Sequence, residues 1–375
     1  MKKMKTDKLS NTPLITIVTV TYFSSSYIGT LAHSLSKQTF TDFRWLIIDN
    51  SEDYREFEKL FRIVGKFLDQ RKYQIIRNVN NGYAGGNNLG LSIAVRDGFE
   101  YVWILNPDVE LPECAVWNMM KNYQSLGADV LVCKIKDSLK RDKLQYDGFK
   151  FSYIPFDDYP QEVHAAKFLS GSSIFSRSRV LFDVGFDERF FLYFEDNKLK
   201  KDLEEKGYSI LYTPFVSIYH KNKEKEFLNS PFEVYYFFRN ALLFYGYICK
   251  NLHMLNHFFM SIFDFYNAKF RSRRILQALI MGIYDGVKGV YGKKDFQRCF
   301  FEFSEEERKA IKKQFIRIIN GLKFKEDNPI ERFEKEKVYL LNYPKDAKVF
   351  FRFLKDSFLI LSKEISDSGG IYGKS

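Results

Sequence analysis

Four short stretches carry residue types that chemistry needs. Asp108 ends the tripeptide Asn106-Pro107-Asp108, directly after the apolar run Tyr101–Leu105. A carboxylate where a strand stops can hold Mg2+ or Mn2+ against a diphosphate, because hard cations take oxygen ligands and share them with phosphates. The same three residues also make an ordinary turn. Glu195-Asp196 follows the aromatic run Phe190–Phe194 and opens a charged helical stretch. Apolar rings beside a carboxylate raise its pKa and suit it to act as a general base, while acidic residues at a helix start also simply complement the dipole. His220 ends a strand, as a ligand or as a satisfied core histidine. The run NNGYAGGNNLG (80–90) is a Gly/Asn-rich turn opening a helix, where backbone can approach a ligand and a helix N-terminus favours phosphate. It follows the third strand, whereas a dinucleotide fingerprint follows the first, which argues against an NAD enzyme.

The elements that must position these residues alternate. Leu14–Val20, Phe43–Ile48, Tyr73–Arg77 and Tyr101–Leu105 are short apolar or β-branched runs of strand length. Between them lie the helix-length stretches Ser24–Ser36, Asp53–Gln70 and Gly86–Arg96. Such alternation predicts an α/β protein with a mostly parallel, wound, Rossmann-like sheet. Ligands of such sheets bind beyond the carboxyl ends of the strands, which singles out Thr21-Tyr22, Asp49-Asn50 and Asn106-Pro107-Asp108. Farther on, KFLSGSSIFS (167–176) reads as a strand interrupted by small residues. Helices are expected over Arg177–Val184 and Phe194–Lys206, and two short strands, Ser209–Tyr212 and Val216–His220, around Pro214.

The character changes near residue 225, so the chain divides into a tail (1–13), a principal domain (14–225) and a helical C-terminal region (226–375). Residues 221–300 carry 13 basic and 6 acidic side chains, a large part of the net charge of +11. With 39 Phe and 24 Tyr in 375 residues, the aromatic, basic stretch has two readings. Arg239, Lys250, Lys269, Arg271, Arg273 and Arg274 face anionic headgroups in a peripheral membrane contact through 226–300, or the stretch is ordinary helical packing. Nucleic acid is not the expected partner, since no recognition motif accompanies the charge. Cys114, Cys133, Cys249 and Cys299 show no metal or disulfide spacing and read as reduced cytoplasmic thiols. No uncharged apolar run reaches the roughly 18–20 residues that span a bilayer. The expected location is cytoplasmic, extending to the inner face of the membrane.

In order along the chain, VTVTYFSS (18–25), IIDNSE (47–52), NVNNGYAGGNNLG (78–90), LNPDV (105–109), LSGSSIFSRSRVLFDVGFDERFFLYFED (169–196) and YTPFVSIYHK (212–221) resemble the family 2 glycosyltransferases of GT-A fold, in their rhamnosyltransferase-like branch. The resemblance covers about 200 residues. It implies an inverting hexosyltransferase that moves a sugar from a UDP- or dTDP-sugar to a glycan or lipid-linked acceptor in bacterial surface polysaccharide synthesis. It also implies roles. Thr21 and Tyr22 line the nucleotide pocket, Asp49 meets the base, and the segment with Gly82, Gly85, Gly86, Asn87 and Asn88 borders nucleotide and ribose. Asn106 and Asp108 occupy the metal motif, with Asp108 the stronger ligand and His220 a second one for Mg2+ or Mn2+. Asp196 is the base of the Glu195-Asp196 pair. Two positions depart from the family pattern, Asn106 in place of the first metal-motif Asp and Lys198 in place of a third acidic residue.

Overall fold

The computed structural model describes residues 14–148, 161–221, 228–251 and 273–294, the backbone of 151–156, and positions 253–255, 258, 262 and 265. The chain forms two compact units, Met1–Lys225 and Glu226–Ser375.

The first unit begins β1 (Ile15–Thr21), α1 (Ile28–Ser36), β2 (Phe43–Asp49), α2 (Tyr54–Val64), β3 (Tyr73–Arg77), α3 (Gly82–Arg96) and β4 (Tyr101–Leu105). These strands pair in the order β3-β2-β1-β4, all parallel. All seven residues of β1 and all five of β4 are buried, as expected for strands covered on both faces. Their two large indoles are satisfied inside the sheet, Trp45 donating to Thr19 Oγ1 and Trp103 to Ser173 Oγ, each at 2.9 Å.

The second half of the unit differs from the expectation of a mostly parallel sheet. It runs β5 (Val109–Glu110), α4 (Ala115–Leu126), β6 (Val130–Asp137), β7 (Leu144–Tyr146), β8 (Phe151–Phe156), β9 (His164–Ala165), β10 (Ser173–Arg177), α5 (Ser178–Val184), α6 (Glu195–Glu205) and β11 (Ile210–His220). The sheet continues β4-β10-β6-β11-β5, with β10 antiparallel to both its neighbours and β11 parallel to β6. The result is a mixed sheet, parallel in its first half and largely antiparallel in its second. A β-hairpin (β6–β7) and the return of β10 after it replace the helical crossovers that parallel pairing requires.

Two further expectations are corrected. Ile210–His220 is one strand, not two. Its register against β6 shifts between Thr213 and Ser217, so Pro214, which cannot donate to a ladder, sits in the irregularity. The helix expected from Gly86 begins at Gly82, so most of the Gly/Asn run lies inside α3 rather than in a turn before it. Gly82 has φ +83, and a Cβ there would strike the Phe191 carbonyl at 2.1 Å. A Cβ on Gly86 or Gly90 would stand 2.7 or 2.4 Å from Val20 or Val18 of β1. These glycines let the helix lie directly on the sheet.

The second unit contains α7 (Pro231–Leu242), a π-helical turn at Leu243–Ile248 and α8 (Arg273–Val287). Ser230 and Glu233 form a reciprocal capping box with Pro231 in the first turn, which sets the start of α7 firmly. Val234, Tyr235, Tyr236, Phe238 and Arg239 are all buried, so this part of the aromatic stretch is packing. Arg239 therefore does not face headgroups, while Arg274 is exposed and Lys250 partly so. Lys269 and Arg271 lie outside the described residues, as does the part of the helical C-terminal region (226–375) after residue 294. Among the described residues no helix is long and apolar enough to cross a membrane.

Candidate active site

The ends of β1 and β2 form one side of the ligand edge. Thr21 and Asp49 are buried next to each other in parallel register. Asp49 Oδ1 accepts from Ser51 N (3.1 Å), Ser51 Oγ (2.5 Å) and Thr21 Oγ1 (3.3 Å), bonds that shape its own turn. Tyr22 projects half-exposed from the end of β1. Asn50 donates to the Gly82 carbonyl and accepts from Asn78, which binds the turn after β2 to the start of α3.

At the N-terminus of α3, Gly82 N–H goes to Asn80 Oδ1 (3.1 Å) and Tyr83 N–H to the Phe191 carbonyl (2.8 Å). Protein acceptors thus already hold two of the donors that a phosphate would use. Gly85 abuts the Asn81 side chain. Asn88 exchanges hydrogen bonds with the Phe186 backbone and reaches Glu188, tying α3 to the loop before α6. Asn87 Nδ2 donates to the Tyr83 carbonyl, while its buried Oδ1 meets no protein donor.

The loop into α6 is strained. Phe191, Tyr193 and Phe194 all have φ between 66° and 69°. At Phe191 the backbone makes a γ-turn, with Leu192 N–H donating to the Phe190 carbonyl at 2.8 Å. Such strain persists only where the surroundings impose it. Here buried Phe190 and the Tyr83–Phe191 backbone bond do so. The consequence is that α6 starts with two consecutive carboxylates inside an aromatic wall.

Burial, and then the charge of Asp196, push the Glu195 carboxyl up to about 8. Burial also pushes Asp196 up, to about 6, against hydrogen bonds from Asn197 and Gly171 that favour its charged form. Glu195 Oε2 is buried with no hydrogen-bond partner. Burial and the neighbouring like charge thus disfavour two ionised carboxylates here, so the pair keeps a proton to higher pH than separate carboxylates would. Lys198 spends its ammonium on Asp202, one turn along α6.

On the other side, β11 delivers His220 beside the turn after β4. His220 Nε2 lies 3.2 Å from Asp108 Oδ1, both side chains nearly buried, and 3.4 Å from Ser172 Oγ. Asn106 Nδ2 donates to that same Ser172 oxygen at 3.1 Å. A carboxylate oxygen and an imidazole nitrogen converging at this spacing form a donor set that fits a divalent cation. Among the described residues no third His, Cys, Asp or Glu joins them. Mg2+ binds well through one or two protein groups, completing its shell with water and phosphate oxygens.

The two sides meet at Ser170-Gly171-Ser172. Gly171 N–H reaches Asp196 Oδ2 at 3.4 Å, its carbonyl accepts from Tyr83 Oη at 2.7 Å, and Ser172 touches both Asn106 and His220. A Cβ on Gly171 would press on the Tyr83 ring at 3.3 Å. Burial and the nearby carboxylates Glu195, Asp196 and Asp108 raise the Tyr83 phenol well above its ordinary range, so it stays a neutral donor. Sequence reasoning named neither Tyr83 nor Ser172 as a site residue. The small residues that interrupt KFLSGSSIFS were the visible signal.

Residues 16–180 match the model for glycosyl transferase family 2. Glu195, Asp196 and His220 lie beyond the matched residues and rest on their geometry. A Haloferax volcanii protein described as "Low-salt glycan biosynthesis hexosyltransferase Agl10" is 25% identical over 177 residues, 44% of this chain. The chain spans 57% of that relative's length. Among solved structures, S. aureus TarS 1-349 is 19% identical, covering 74% of this chain and 80% of that one, with a TM-score of 0.47. Its complex with UDP-GlcNAc gives 18% identity, 74% and 81% coverage and the same TM-score.

Proposed function

We propose that this protein is an inverting glycosyltransferase of the rhamnosyltransferase-like kind. It would move a sugar from a UDP- or dTDP-sugar to a glycan or lipid-linked acceptor of a bacterial surface polysaccharide. The observation that carries this reading is the meeting, on Ser170-Gly171-Ser172, of a raised carboxylate pair with the Asp108–His220 pair. A base and an anion-side cluster held on one short segment are what a displacement at an anomeric carbon needs.

In this reading Asp196 takes the proton from the acceptor hydroxyl. Attack on the face opposite the leaving diphosphate inverts the anomeric centre, with no covalent intermediate on the protein. Glu195, buried beside Asp196 with its own carboxyl raised, disfavours a second charge there. Asp108 and His220 are the residues that would hold Mg2+ or Mn2+, whose charge stabilises the leaving diphosphate. Thr21, Tyr22 and Asp49 line the side on which the nucleotide lies. The place of action is the cytoplasm, up to the inner membrane face.

A second reading, nucleotide-sugar binding without transfer, is favoured by Asn106 and Lys198 at positions where the family pattern has carboxylates. Incubating the purified protein with Mn2+, a panel of UDP- and dTDP-sugars and a lipid-linked acceptor pool separates the two by mass spectrometry. A mass increment of one sugar on the acceptor is expected. Donor binding with neither transfer nor hydrolysis would establish the second reading instead.

A further inference from the structure

His220 is held from behind by a buried amide that neither the family match nor the site reading above assigns. In the sheet, β11 runs parallel to β6 with His220 opposite Asp137, and β7 folds back on β6. That hairpin places Gln145 between the two. Asp137 and Gln145 are each 1% exposed and His220 7%, so the protein must satisfy their polar atoms itself.

The hydrogen-bond network determines how the amide points. One end of Gln145 lies 3.2 Å from Asp137 Oδ2 and 3.2 Å from the His220 carbonyl oxygen. A carboxylate and a carbonyl only accept, so this end is the NH2 group and both its hydrogens are used. Asp137 is itself oriented, since its Oδ1 accepts from Leu139 N (2.8 Å) and Lys140 N (2.6 Å) across the hairpin. The other end, Oε1, is therefore the atom 2.9 Å from His220 Nδ1. An oxygen there requires a hydrogen on Nδ1, in the neutral ring and the charged one alike.

With Nδ1 carrying the hydrogen, the neutral imidazole has its lone pair on Nε2, the nitrogen facing Asp108 and Ser172. Asn106 fits the same scheme. By donating to Ser172 Oγ it leaves the Ser172 hydroxyl hydrogen free to turn toward Nε2. A lone pair opposite a carboxylate oxygen at 3.2 Å is repulsive by itself and is relieved by a positive charge between or beside them.

We propose that Gln145 is a positioning residue that locks His220 with its hydrogen on Nδ1 and its Nε2 lone pair turned toward Asp108. The lock makes the ring a ready ligand for a divalent cation. This consequence rests on reading Asp108 and His220 as the cation-holding pair. Partners of this type orient a ligating histidine, and losing one weakens metal affinity by about 10- to 100-fold.

The test reads the tautomer first, on the full-length wild-type protein without donor or metal. Histidine-selective 15N labelling, with the His220 signals assigned by their loss in His220→Gln, should show hydrogen on Nδ1 and a bare Nε2. In Gln145→Met, checked for folding by circular dichroism, the Nε2–H form should gain population. Mn2+ affinity in the presence of UDP, followed by calorimetry, should fall about 10- to 100-fold. A wild-type protein with its hydrogen on Nε2 overturns the lock, whatever the variant does. So does a folded Gln145→Met that keeps the wild-type tautomer and Mn2+ affinity. Wild-type protein with the Nδ1–H form but no Mn2+ binding upholds the lock and instead removes the reading of Asp108 and His220 as a cation site.

Discussion

Two buried clusters of charge invite comparison, Glu195-Asp196 in the first unit and Arg239 with its neighbours in the second. Arg239 is 0% exposed, yet it is satisfied on every side. It donates to Asn240 Oδ1 (2.8 Å) and the Gly292 carbonyl (2.6 Å) and lies over the rings of Tyr235 and Tyr236. Tyr235 Oη donates to Asp285 at 2.6 Å, and Lys294 pairs with the same carboxylate at 2.8 Å. Opposite charges alternate with neutral donors there, so the cluster has little left to offer a ligand. The carboxylate pair has the reverse character: two acidic groups side by side, one buried oxygen without a partner, and both groups raised by burial. Buried charge that is mutually compensated organises a fold, whereas uncompensated buried charge is available for proton transfer.

The strongest way to sharpen this contrast is Asp196→Asn. Under the proposed role of Asp196 as general base, turnover should fall by about 10²–10⁴-fold with nucleotide binding retained, measured as kcat and as UDP affinity. Next in size, Arg239→Ala leaves a buried cluster without its central cation. It should destabilise the protein by about 3–5 kcal/mol in urea unfolding. Comparable stability of that variant would mean the second cluster is not the compensated one.

The remaining two predictions are matters of pH. Asp196 must be ionised to accept a proton, so the rate should rise with pH through about 6, and a flat profile from pH 5 to 7 would remove it as base. Glu195 affects stability. Folded, it keeps its proton to about pH 8, while unfolded it loses it near 4.5. The folded state binds the extra proton between those values, so stability falls as pH rises across that window. Glu195→Gln should therefore melt at a higher temperature than wild type at pH 8 and show a weaker pH dependence, as read by thermal unfolding at pH 5.5 and 8. No such gain is expected from neutralising Asp285, whose charge has partners.

Much of the first half-sheet was legible in the sequence because its strands are buried on both faces and appear as unbroken apolar runs. The edge residues after β1, β2 and β4 followed from the same runs, since a strand's end is also a change in polarity. The antiparallel half was less legible. The strand Val130–Asp137 and the helix before it drew no attention, and Pro214 made one strand look like two. The glycines of 82–90 suggested a phosphate turn because glycine serves close approach to a ligand or to a neighbouring strand equally well. Only the positions of Val18, Val20 and Phe191 show that the close approach here is to protein.

Asp108, Asp196 and His220 were nameable as candidates, each beside a plain structural reading, and only the order of several resembling segments joined them. Their partners were not. Gln145 sits 75 residues from His220, Ser172 48 residues from it, and Tyr83 88 residues from Gly171. A glutamine, a serine and a tyrosine carry no charge pattern or periodicity to mark them. Their roles come from hydrogen-bond direction and burial, which exist only once β6, β7, β10 and β11 lie side by side. The sequence by itself determined which groups could do chemistry. Tertiary structure decided which of them are desolvated, which proton each one holds, and which neighbours keep it there.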